Sequence, residues 1–334
     1  MNQRLFLLFT LIIPLLFGGG GVLFGLSLVG KGPLTQPADV VIEPHTGLLQ
    51  TAAALKNANV IGNEYEFAAL IAVTGNKNKI KAGEYEFTPQ ISLWHVVQKF
   101  ARGEILVRKI TFPEGWTSKQ IVSALNQNTF LMGDVTEIPA EGTLMPDTYT
   151  FTRGDKREEI LSRMKKKMAD FIAATWPRRA ADYPLKTTDD WLKLASIIEA
   201  ETPKSEERAR VAAVYLNRLA KPMRLEADPT VAYGASDGSG NLGRALTLAD
   251  LQTANPYNTY LNDGLPPTPI NNPGRASLLA ALTPEKNDYL YFVANGLGGH
   301  NFAATYEAHQ KNVIAWRKIK NETKPALPAT AGQR

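Results

Sequence analysis

The chain has no cysteine. Disulfides, thiolate nucleophiles, CxxC redox chemistry and zinc–thiolate sites are therefore excluded, and the compartment is left open. Histidine is scarce: His45, His95, His300 and His309 are the four in 334 residues. No pair has the H-x-x-x-H spacing that sets two imidazoles on one helix face, so no metal is expected. No Gly-rich phosphate loop or dinucleotide fingerprint occurs, and no cofactor is expected. Basic residues are not interleaved with aromatics. The one dense cluster, Arg163, Lys165, Lys166 and Lys167, follows Glu158 and Glu159 in a helical pattern and reads as a solvated face. The net charge of +5 suits an anionic polymer or a membrane surface, and no nucleic-acid partner is expected.

A long uncharged run occurs at the N-terminus. Residues 1–4 make a short basic end, expected to be cytoplasmic. Residues 5–30, Leu5 to Gly30, carry no charge and exceed the roughly 20 residues that cross a bilayer. A single-pass transmembrane anchor is expected, with the rest of the chain outside the inner (cytoplasmic) membrane, on the periplasmic side. A cleaved signal peptide competes with that reading, but the run is long for one and no A-x-A site follows it. Residues 31–38, with Pro33 and Pro37, read as a linker.

From 39 to 140 the pattern is α+β. Val40 to Ile42 is strand-like, Leu48 to Ala58 and Tyr65 to Val73 are helical, and Lys79 to Phe87 alternates as a strand or hairpin does. A similar half follows, with Leu93 to Phe100 helical, Ile105 to Phe112 extended and Thr117 to Leu125 helical. This order resembles a LysM-type carbohydrate-binding module, and a small α+β spacer fits it equally. Residues 141–320 form a second, mixed α/β region. It opens on the turn-rich EGTLMPDTYTF and continues with a long helix from Glu158 to Ala174. Leu225 to Gly234 reads as loop. Asn255 to Pro273 is neither helical nor strand-like, and a long ordered loop in a compact domain is usually functional. Residues 321–334 read as a disordered tail.

The most informative stretch is LASIIEAETP, Leu194 to Pro203. Thr187 to Asp190 cap and begin a helix, and Trp191, Leu194, Ala195 and Ile198 make its apolar stripe. Glu201 falls on that stripe, and Pro203 ends the helix near Thr202. A carboxyl that is both desolvated and at the negative end of a helix has its pKa raised. A carboxylic acid kept protonated near neutrality is what glycosidic cleavage requires of its general acid. A salt bridge to Arg208 or Arg210 is the alternative use of the same residue.

The motifs LASIIEAET, VAAVYLNRL, DPTVAYG, PYNTY, GLPPTPINNPG and YLYFVANGLGGHNF, in that order, resemble the MltG (YceG-like) endolytic murein transglycosylases. The resemblance implies an N-terminal transmembrane helix, a LysM-like subdomain and a catalytic domain related in role to lysozyme-like transglycosylases. It implies cleavage of peptidoglycan glycan strands with formation of 1,6-anhydro-N-acetylmuramic ends, and Glu201 as the catalytic carboxyl. Peptidoglycan-polymerising enzymes become expected partners through the family's place in wall growth. Asn217, Tyr257, Asn258 and Tyr260 are then expected to bind or orient the sugar, and Asp228 to support the site or cap a turn. Glu199, Glu226 and Asp228 are the spare carboxylates from which a hydrolytic pair could be built. An inactive wall-binding scaffold is the alternative to an enzyme, and a hydrolytic muramidase the alternative to a lyase.

Overall fold

The computed structural model describes residues 28–322. The expected anchor lies almost wholly outside the described residues, as does most of the expected tail. No helix among the described residues is long and apolar enough to cross a membrane. Helix and sheet are mixed, and the described strands pair only in twos.

The described residues form two compact units, one up to residue 109 with 150–155 and one of 110–149 with the residues from 156 onward. The division falls within strand β3 (Arg108–Thr111), ahead of the boundary expected at 140, and the chain returns within its partner β4 (Thr148–Phe151).

In the first unit, β1 (Ala38–Ile42) pairs antiparallel with β2 (Gly83–Phe87), with Ala38 opposite Phe87 and Ile42 opposite Gly83. Helices α1 (Leu48–Asn57), α2 (Glu64–Val73) and α3 (Leu93–Arg102) complete it. The expected β-α-α-β order is present. Alternation along β2 sends Tyr85 and Phe87 inward, where they meet Phe100 of α3 and, through it, Phe67 of α2. Glu84 points the other way. It is buried, yet held by Arg108 at 2.7 Å and Arg153 at 3.4 Å, so its charge is paired.

The similar half expected after α3 does not form as a repeat. Its helix α4 (Ser118–Gln127) belongs to the second unit. The reason is polar. Glu141 accepts the Ser118 N–H at 2.9 Å, and Asn272, fully buried, donates to Glu141, the Trp116 carbonyl and the Ser118 hydroxyl. Asn272 also accepts the Leu144 N–H. One asparagine thus ties the start of α4 and the 141–145 bridge to the C-terminal loop.

The core of the second unit is helical. After α5 (Arg157–Thr175) come α6 (Thr188–Glu201) and α7 (Ser205–Ala220), which pack together with α10 (Arg275–Leu282). Between them lie α8 (Asp228–Ala235) and α9 (Leu248–Gln252). Trp191, Leu194, Ala195 and Ile198 are all fully buried, the stripe expected from their spacing. The Trp191 indole donates to the Leu278 carbonyl at 2.8 Å, fixing α6 on α10. Thr187 caps α6 by accepting the Asp190 N–H. The hairpin β5 (Tyr291–Ala294) and β6 (His300–Ala303) and the final helix α11 (Tyr306–Glu322) close the unit.

One expected loop is a helix. DPTVAYG forms α8, because Asp228 and Pro229 occupy its first turn, where a carboxylate and a residue without N–H are both favoured. The 255–273 segment is a loop, as expected. It is held by its own asparagines, which donate to loop carbonyls.

Candidate active site

Glu201 ends α6, and Thr202 after it is extended ahead of Pro203. Its carboxyl opens into a cleft of about 180 Å³ lined by Glu201, Tyr215, Arg218, Glu226, Asp228 and Tyr260, with Leu225 and Phe292. Tyr215 and Arg218, three residues apart on α7, share a face and both reach this cleft. The Tyr215 O–H donates to Glu201 Oε1 at 2.6 Å. The edge of Phe292 packs on the Tyr215 ring, so this side is apolar. On the outer side stand Glu226 and Asp228, both exposed.

Burial pushes the Glu201 carboxyl up to about 7; the Tyr215 hydrogen bond opposes this, and the nearby Asp228 charge reinforces it. The direction is the one read from the sequence, with desolvation as the leading cause. Tyr215 is itself held well above the ordinary phenol value by burial and by Glu201, so it remains a donor. Arg218 is almost fully buried and donates to the Leu290, Arg224 and Leu225 carbonyls and to Glu226 Oε2 at 3.1 Å. Glu226 itself has φ of 50°, a left-handed backbone rarely taken by non-glycine residues.

Asp228 Oδ1 accepts the Tyr260 O–H at 2.7 Å. Glu201, Glu226, Asp228 and Tyr260 therefore converge. The other residues expected to meet the sugar do not join them. Asn217, one residue from Arg218, faces away and donates to the Asn287 and Tyr289 carbonyls at 3.0 Å each. Asn258 is fully buried; its amide donates to the Leu251 and Thr253 carbonyls and accepts the Tyr260 N–H. It positions Tyr260 and has no group left for a ligand. Tyr257 bonds Thr268 at 2.9 Å and sets its ring against Tyr233. Asn217 and Asn258 thus give their amides to backbone carbonyls that would otherwise be left unpaired, and Tyr257 gives its hydroxyl to another side chain of its own loop.

Glu199 is also elsewhere. It is buried, accepts from Arg208 at 3.2 Å and from the Gly274 N–H at 2.9 Å, and lines no part of the Glu201 cleft. Tyr215 and Arg218 were not anticipated as site residues. The available signal was the VYLNR run, which places an aromatic hydroxyl and a cation one turn apart on the helix after Glu201. Among the described residues no group of three His, Asp or Glu side chains could hold a metal ion.

Residues 40–315 match the YceG-like family. The chain is 32% identical over 338 residues to an endolytic murein transglycosylase of Bacillus subtilis, covering 91% of this chain and 92% of that protein. It is 26% identical to an endolytic murein transglycosylase of Streptococcus pneumoniae, over 77% of this chain and 56% of that one, and so spans little more than half of that longer relative. A crystal structure of a yceG-like protein from Listeria monocytogenes superposes with a TM-score of 0.51 at 32% identity, over 83% of this chain and 99% of that one. On these matches, and with a motif-bearing helix that delivers Glu201 to a cleft, the chain belongs to the YceG-like family.

Proposed function

We propose that the protein is an endolytic murein transglycosylase, with Glu201 as its acid and base. The observation that carries this is the raised carboxyl of Glu201 in a cleft, held by a single strong donor, Tyr215. A group with a pKa near the working pH can give a proton and take one back. Protonated Glu201 transfers its proton to the bridging glycosidic oxygen as the bond to the muramyl anomeric carbon breaks. The muramyl 6-hydroxyl closes on that carbon, and the Glu201 carboxylate accepts the hydroxyl proton. The product is a 1,6-anhydro end, no water is consumed, and the enzyme returns to its starting protonation state. Tyr215 steadies the carboxylate between the two steps. Asp228, on the open side, is placed to favour positive charge developing at the sugar ring.

The substrate is a glycan strand of peptidoglycan outside the cytoplasmic membrane. The uncharged run from Leu5 to Gly30 supports a single-pass anchor with the N-terminus cytoplasmic. The first unit, with its β-α-α-β order, is the candidate wall-binding, LysM-like part. Proximity to peptidoglycan polymerases would let the enzyme limit strand elongation.

Mass spectrometry of products from uncrosslinked strands tests the reaction. Anhydro-muramyl ends are expected from the protein and not from Glu201→Gln. Reducing ends, one water heavier, would assign hydrolysis and bring Asp228 in as a second carboxylate. Strands bound but never cut would leave the scaffold reading.

A further inference from the structure

At about 180 Å³, the cleft over Glu201 is below the roughly 300 Å³ at the low end of ordinary ligand pockets. It can hold the bond being broken and little else, so the rest of a strand must lie beyond it. A second cleft of about 360 Å³ begins next to it in the same unit. Its lining includes Ala200 and Pro229, the chain neighbours of Glu201 and Asp228. Consecutive Cα atoms are about 3.8 Å apart, so the end of α6 and the start of α8 form a shared wall.

The chemistry of this second cleft is selective. Its one charged lining residue is a carboxylate, Glu114, which disfavours phosphate and other anions. The rest is aromatic, amide and hydroxyl: Trp116, Tyr233, Gln120, Asn271, Thr117 and Ser239. Trp116 is half-buried and belongs to neither hydrophobic core among the described residues. Its carbonyl is nonetheless fixed by two Asn272 hydrogen bonds. A rigidly mounted, half-exposed indole is a stacking surface. Tyr233 is backed by Tyr257, ring centres 4.9 Å apart. Asn271, 3% exposed, donates to the Ser196 carbonyl at 2.8 Å and leaves its Oδ1 without a hydrogen-bond partner. Buried acceptors are normally matched, and an acetamido N–H or ring hydroxyl would match this one. Glu114 is seated over Gly274, where a Cβ would collide with its carboxylate, and remains half-exposed as an acceptor for hydroxyls.

We propose that this cleft is a second saccharide site. It takes an N-acetylated pyranose ring of the same strand that Glu201 cuts, with the Trp116 face as its platform and Asn271 and Glu114 as its polar contacts. The inference rests on the glycan-cleaving reading above and adds to it where the strand runs: past Ala200 and Pro229 toward the start of α4.

The test uses the full chain in the Glu201→Gln background, titrated calorimetrically with uncrosslinked glycan strands. Adding Trp116→Ala is expected to weaken binding about tenfold or more, the effect of removing an aromatic anchor, with Trp116→Phe restoring most of it. Ser239→Trp, which fills the cleft from a surface loop, is expected to weaken binding similarly without touching either core. With Glu201 intact, Trp116→Ala should raise KM on long strands and leave kcat within a few-fold, as uniform binding requires. Unchanged strand affinity in both Trp116→Ala and Ser239→Trp, with melting curves like the parent's, overturns the second site and leaves the catalytic reading standing. No strand binding by the Glu201→Gln parent, and no anhydro product from the unmodified protein, overturns both.

Discussion

Glu199 and Glu201 leave the last turn of α6 into different surroundings. Glu199 enters a pocket already balanced for a carboxylate, with Arg208 at 3.2 Å, the Gly274 N–H at 2.9 Å and little solvent. Glu201 enters a pocket with a phenol hydroxyl at 2.6 Å, an aromatic wall, and the carboxylate of Asp228 beyond. Both are glutamates near one helix end, so neither burial nor the helix dipole alone separates them. The cation does. Arg208 makes Glu199 a structural anion, while Arg218, the cation nearest Glu201, gives its donors to three carbonyls and Glu226. The proposed chemistry falls to Glu201 because no ion pair among the described residues holds its carboxylate.

The sharpest way to break the comparison is to make the same substitution at both positions. Glu201→Gln is expected to lower turnover at least about a hundredfold, the loss of a general acid, with the fold intact. Glu199→Gln should do the reverse. It leaves Arg208 buried, with the half-exposed Glu114 as its remaining acid at 3.9 Å, and so should cost up to about 3–5 kcal/mol of stability. Protein that stays folded should cut strands within about tenfold of the parent. Denaturant melts and strand-cleavage rates on the same samples decide it. Equal loss of turnover in two folded variants would mean the two carboxylates act as a pair.

Charge state offers a finer test. With the Glu201 carboxyl near 7 and not at the ordinary 4.5, the folded protein holds a proton that the unfolded chain releases. Stability from this group is fully present below about pH 4.5 and is lost as pH rises toward 7. Glu141, also pushed up to about 7 by burial against the opposing Ser118 N–H bonds, contributes with the same sign. Stability measured from pH 4.5 to 7.5 should therefore fall, Glu201→Gln should flatten part of that slope, and Glu141→Gln the remainder. Turnover should decline above about pH 7 as the acid form is lost. Tyr215→Phe removes a bond that holds the Glu201 carboxyl down, so that decline should move to higher pH. An unmoved pH profile in Tyr215→Phe would show that the 2.6 Å bond does not tune the acid.

Glu201 was legible in the sequence because helical spacing is periodic and its ends are marked: Thr187 starts α6, Pro203 stops it, and the apolar stripe between them runs to Glu201. The long helix α5, expected from Glu158 to Ala174 and found at Arg157–Thr175, was legible for the same reason. The unit boundary was not, because it depends on Asn272 reaching back to Trp116, Ser118 and Glu141, and no local pattern announces a hydrogen bond across so much sequence. Tyr215 and Trp116 were hidden differently. Tyr215 sits among apolar residues on its helix, and Trp116 lies between an expected strand and an expected helix, so neither is singled out until the fold sets it beside a cleft. The 255–273 loop was correctly read as ordered, but its amides were given to the ligand when they belong to the loop.

The smallest effect expected tests that last distinction. Asn217 and Tyr260 were both expected to meet the sugar, yet Asn217 supports two carbonyls of the 287–289 segment while Tyr260 lines the cleft and donates to Asp228. Asn217→Ala should cost about 1–3 kcal/mol of stability, the penalty for leaving carbonyls unpaired, and change neither kcat nor KM beyond about twofold below the melting transition. Tyr260→Phe should barely move stability, since its hydroxyl bond is exposed, and should lower kcat/KM several-fold by freeing Asp228 from its partner. If Asn217→Ala instead weakens strand binding while its melting curve is unchanged, then the 287–289 segment it holds forms part of the substrate path, and the cleft is wider than Glu201 and its neighbours define.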